Sequence, residues 1–110
     1  RVRVDLTCMG GITGGRAIID ECLAAGVDFG PHMFAHVHSQ VFSAWGFSDK
    51  PVEWGVPWSG VDPYADSLVQ PEIIAGGLMK PLPSKPGFGD MLNREWALSQ
   101  PHQDPDHILN

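Results

Sequence analysis

The chain has 110 residues and a formal net charge of −6, with 7 Lys plus Arg against 13 Asp plus Glu. An acidic chain without a basic run is a poor match for nucleic acid, whose phosphates call for clustered Lys and Arg. Hydrophobic residues at 43% and charged residues at 18% describe a globular chain, one domain or part of one, and no apolar stretch approaches the about 20 residues of a membrane span.

Val2, Val4 and Leu6 alternate with polar residues, the pattern of a short strand. Because the chain opens on Arg1 and reads as strand interior at once, it is expected to be a piece of something longer. Gly10-Gly11 signals a turn, and Thr13 is a suitable N-cap for a helix with Ile18, Ile19, Cys22 and Leu23 on one face and Gly26 as its stop. Val27 to Gly30 is a second short strand ending at Pro31-His32. A second helix is expected from Phe34–His36, with Val37, Val41, Phe42 and Trp45 as its apolar stripe and Gly46 as its stop. Pro51-Val52-Glu53-Trp54 completes a β-α-β-α-β order with short connections, which points to a parallel α/β sheet.

Beyond Gly55 the chain is rich in Pro, Asp, Ser and Trp, and residues 56–72 read as an irregular loop. Ile73-Ile74 and Gly77-Leu78-Met79 are expected to form a small hairpin, Pro81–Gly89 an extended run, and Asn93 or Arg94 to Gln100 a last short helix. Residues 101–110 read as a frayed tail. Cys8 and Cys22 lack metal-ligand or framework spacing and are expected to be buried, reduced thiols, with a cytoplasmic setting as the default.

In parallel α/β folds functional side chains gather at the carboxyl ends of strands. Asp5, His32 and Glu53 fall at or near such ends. Neighbouring strands are about 4.8 Å apart, so side chains from adjacent ends can touch. Singly, each has a plain structural reading as a cap, a salt-bridge partner or a satisfied histidine; the set on successive strands is more informative. Two other patterns compete. His32, His36 and His38 could be read as a zinc cluster, but the Glu of HExxH is missing, and the favoured reading sets His36 and His38 at a helix start near a pocket mouth, touching substrate. Gly10 to Gly15 lacks the Lys-Ser/Thr of a phosphate loop and reads as turn geometry. Trp58 and Tyr64, in the loop after Gly55, either shape a pocket or pack.

Asp5 followed five residues later by Gly10-Gly11-Ile12-Thr13 resembles the sixth-strand signature of the mandelate racemase group of the enolase superfamily. Pro31-His32-Met33-Phe34 is similar to the end of that group's seventh strand, Val52-Glu53-Trp54 to its eighth, and Leu82-Pro83 with Pro86-Gly87-Phe88-Gly89 to its late Pro/Gly stretch. The ordered set covers roughly residues 2–95 and is specific as a set. The resemblance implies an α/β chain forming the C-terminal part, about three β/α units, of a (β/α) TIM-type barrel with a C-terminal extension: residues 1–95 as the barrel portion and 96–110 as a tail. It implies Asp5 and His32 as a catalytic dyad, in place of the Lys that muconate cycloisomerase relatives carry at the position of Asp5. His32 would move the proton next to a substrate carboxylate, Asp5 would orient its ring, and Glu53 would hydrogen-bond the developing enediolate, best as a protonated acid.

The resemblance also implies Mg²⁺ in a full-length parent. Its carboxylate ligands stand on barrel strands three to five and a second base on strand two, none of them in this chain, so the chain alone is expected to hold no catalytic metal, to turn over no substrate and to be unstable. A barrel of this kind takes about 250 residues. The implied partner is a small-molecule carboxylate, a sugar acid or hydroxy acid, and the parent is expected to be a homo-oligomer. Dehydration of a sugar acid is the first expectation and racemisation or epimerisation of a hydroxy acid the second. Cys8 stands where many acid-sugar dehydratases carry Arg or Lys, which leaves the substrate class open. A non-catalytic homologue serving as a scaffold is the alternative from another class.

Overall fold

The computed structural model describes residues 1–55, 60, 67, 74–75, 78–79, 86–88 and 91–100. Most of the expected loop over 56–72, most of the run from Pro81, the tail over 101–110, and both Trp58 and Tyr64 lie outside the described residues. Strand β1 is Val2–Val4, helix α1 Gly11–Ala24, strand β2 Phe29–Pro31 and helix α2 Ala35–Ala44. Strands β3 (Ile74–Ala75) and β4 (Leu78–Met79) pair antiparallel, as the hairpin pattern suggests, and helix α3 spans Arg94–Ser99. Among the described residues no helix is long and apolar enough to cross a membrane.

Strands β1 and β2 are parallel, with Val2 opposite Phe29, Arg3 opposite Gly30 and Val4 opposite Pro31. The ladder extends beyond the strands, with Val2 N donating to Asp28 O at 2.8 Å and His32 N to Val4 O at 3.0 Å. Because side chains alternate across a strand, Val2 and Val4 face the helices while Arg3 and Asp5 share the opposite face. The helix side holds the core of Val4, Leu6, Ile19, Cys22, Phe29, Val41 and Phe42. Phe29 takes an edge-on contact from Phe47, with centroids 5.1 Å apart, and Lys50 Nζ lies 4.6 Å from the Phe29 ring centre.

Both long helices stop as their glycines require. Gly26 and Gly46 have φ of 65° and 84°, open to glycine at no steric cost. Val27 N then reaches Cys22 O at 2.8 Å, and Phe47 N reaches Phe42 O at 2.8 Å, closing a Schellman motif at each end. The start of α1 differs from expectation. Thr13 is not its N-cap: Gly10, at φ 79°, turns the chain directly into the helix with no side-chain cap, and Gly11 N donates to Leu6 O at 3.1 Å. At residue 14 a Cβ would sit 1.9 Å from the Met9 carbonyl oxygen, so only glycine lets the β1–α1 loop lie against the helix this closely. Helix α3 follows the ordinary rule, since the Asn93 side chain accepts from Trp96 N at 3.0 Å.

The expected third strand does not form: residues 51–55 carry no strand pairing. The ladder bonds to β1 use the backbone of residues 28 and 32, which turns residues 29 and 31 toward the outer edge of β2. There Pro31 has no N–H to give, and the incoming segment opens on Pro51, which has none either. The segment is tied in by a side chain instead, through Glu53. The thiols also depart from expectation in part, for Cys22 is buried but Cys8 is exposed in the loop after β1; both are free.

Candidate active site

Asp5 follows directly on β1 and His32 on β2, so the register that sets Val4 opposite Pro31 also sets Asp5 beside His32. Asp5 Oδ2 lies 3.2 Å from His32 Nδ1. Its other oxygen, Oδ1, accepts from the Thr7 amide at 2.9 Å and the Thr7 hydroxyl at 2.7 Å. The carboxylate is 7% exposed, and burial pushes its pKa up; the Thr7 hydroxyl and amide and the His32 ring outweigh that, and the net effect is a pKa below the ordinary 3.8.

That direction has a consequence for stability. A carboxyl held low in the folded state binds fewer protons than its unfolded counterpart. The stabilisation is therefore complete above the ordinary value and is lost as pH falls through it toward the lower folded value. Asp5→Asn is expected to flatten the acid limb of the stability curve below about pH 4, read as the urea midpoint against pH. Asp28, held low chiefly by Lys50 and then by Arg1, leaves part of the limb in place. A variant with the wild-type acid slope would exclude Asp5 as a contributor.

On the far side of the imidazole, His32 Nε2 is 3.9 Å from Glu53 Oε2. The side chains of His32 and Glu53 are 44% and 40% exposed, partly open to solvent. Glu53 Oε2 accepts from Arg3 and, at 3.4 Å, from Met33 N. Arg3 itself was missed in the sequence, although the alternation that puts Val2 and Val4 in the core also puts Arg3 on the face of Asp5.

The two histidines expected to touch substrate do not reach the open face. His36 is 4% exposed and His38 0% exposed, both on α2 and turned into the packing. His38 has both ring nitrogens engaged: Leu6 N donates to Nε2 at 3.0 Å, and Nδ1 lies 2.8 Å from Met33 O and 3.2 Å from Phe34 O. Its sequence signal was its place at i+4 from Phe34 and i−4 from Phe42, on the apolar stripe. The backbone that bends around it is strained, since Met33 and Phe34 adopt φ of 52° and 41°; left-handed non-glycine residues cost about 1–3 kcal/mol each and cluster at functional sites.

Among the described residues no three His, Cys, Asp or Glu side chains are arranged to hold a metal ion. Asp5 and Glu53 are committed to Thr7, His32, Arg3 and Met33 and do not fit a Mg²⁺ ligand set. No protein-family model, curated protein or solved structure matches the chain.

Proposed function

We propose that Asp5, His32 and Glu53 are the proton-handling part of an enzyme that abstracts the proton α to a carboxylate, and that the chain forms the last β/α units of a barrel of the mandelate racemase type. One observation carries this reading: an imidazole held at Nδ1 by a buried carboxylate, with Nε2 left toward a partly open face beside a second carboxylate. A ring oriented in this way can take or give a proton at Nε2, while Asp5 stabilises the charged form that results. In a dehydratase, the first choice, His32 returns the proton to a departing hydroxyl; in a racemase, the same intermediate is reprotonated on its other face. The Mg²⁺ such chemistry draws on is not held by these residues, and no step is assigned to it. The substrate is a small sugar acid or hydroxy acid, and the setting is cytoplasmic.

Incubation of the full-length parent with a panel of sugar acids and hydroxy acids in deuterated water, with Mg²⁺ supplied, tests the reading by proton NMR. Loss of the α-proton signal is expected for at least one compound. A keto acid formed by loss of water selects dehydration, and a deuterated isomer of inverted configuration selects racemisation. If no compound in the panel exchanges, the enzymatic reading falls and the scaffold alternative stands.

A further inference from the structure

His38 is a buried titratable group that the proton-transfer reading leaves without a role. Its surroundings fix its chemistry. The Leu6 amide can only donate, so Nε2 at 3.0 Å must accept and carries no proton. The carbonyl oxygens of Met33 and Phe34 can only accept, so Nδ1 at 2.8 and 3.2 Å must donate. One neutral tautomer satisfies both sides, with the rings of Phe34 and Phe42 packed at centroid distances of 6.4 and 6.3 Å. The nearby charged group, Asp5 Oδ1, is 3.8 Å from Nε2, outside hydrogen-bond reach.

The residues it grips are Leu6, next in sequence after Asp5, and Met33, next after His32. A single rigid ring therefore ties together the backbone immediately behind each member of the pair, across two loops that the His32 N to Val4 O ladder bond and the Asp5–His32 contact also join. We propose that His38 is a positioning residue: as a neutral, Nδ1-protonated imidazole it clamps the β1–α1 loop to the β2–α2 turn and so sets the alignment of Asp5 with His32. It touches no substrate, which also accounts for its complete burial.

The test has two arms. With ¹⁵N-labelled histidine in the wild-type protein, long-range proton–nitrogen correlation should show His38 protonated at Nδ1 and bare at Nε2. A ring protonated at Nε2 overturns the proposal, and this arm needs no variant to fold. His38→Asn keeps a donor for Met33 O and loses the acceptor for Leu6 N, whereas His38→Gln keeps the acceptor and loses the donor. The wild type should also show a hydrogen-bonded His32 Nδ1–H, donated to Asp5 Oδ2; both variants should lose that signal, and in the full-length parent both should lower kcat on the order of 10²-fold with KM held. Folded variants in which that signal survives would show that His38 merely packs. The kinetic readout rests on the proton-transfer reading and the spectroscopic one does not, so a wild type without turnover sinks the former and leaves the latter decisive.

Discussion

In the full-length parent, His32→Asn is expected to lower kcat about 10²–10⁴-fold on the substrate identified by deuterium exchange, the range lost when a positioned acid–base group is removed. Asn retains an amide that can donate to Asp5 Oδ2, but it offers nothing at the place of Nε2 that can take up or release a proton. Half of the effect is thus isolated: orientation by Asp5 is kept and proton transfer is lost. KM should change little, because an interaction made only in the transition state leaves ground-state binding alone. The His32 side chain is 44% exposed, so the fold should survive, and matching urea midpoints would establish that. Wild-type turnover in the variant would remove His32 from the mechanism.

The largest structural effect is expected at Phe42. It is 2% exposed, and its ring meets those of Phe29, His38 and Phe47 at centroid distances of 6.3 Å each and that of Trp45 at 6.0 Å. Through Phe42, helix α2 meets Phe29 of β2, with Val41 beside it in the same core. Phe42→Ala removes the buried ring and leaves a cavity that its aromatic neighbours, fixed by one another, cannot close. The expected cost is about 3–5 kcal/mol, a large share of the 5–15 kcal/mol that holds a typical domain together. Urea unfolding against wild type measures it, with Leu98→Ala as the contrast: Leu98 is 76% exposed and should matter by no more than about 0.5 kcal/mol. A cost below about 1 kcal/mol for Phe42→Ala would mean that α2 is held by something else.

The sequence was most readable where one local rule decides the outcome. Alternation marked β1, a helical stripe marked α1 and α2, and Gly26 and Gly46 ended both helices for a stated backbone reason. Asp5 and His32 were legible because a strand end and a turn signal coincide at each, and parallel register did the rest. The failures lie where a neighbour decides. A strand exists only if an edge receives it, and the Pro31–Pro51 pairing of absent donors is invisible in the alternation of Val52 and Trp54. Thr13 had the right side chain for a cap, yet the backbone of Leu6 had already met the helix start. His38 reads in the sequence as a helix-start residue near a pocket mouth, when its place on the apolar stripe marks it as an interior group whose partners are backbone atoms.

The close approach at residue 14 bears on more than packing. Met9 O, the atom that any side chain at residue 14 would strike, belongs to a turn whose Met9 amide is bonded to Asp5 O at 3.1 Å. A methyl group added there has no rotamer to escape into, and the turn must lift, carrying the carboxylate away from the imidazole. The height of Asp5 above the sheet is in this sense gauged by a hydrogen atom, and drift at a position remote from any substrate would be felt first as lost alignment of the reacting groups.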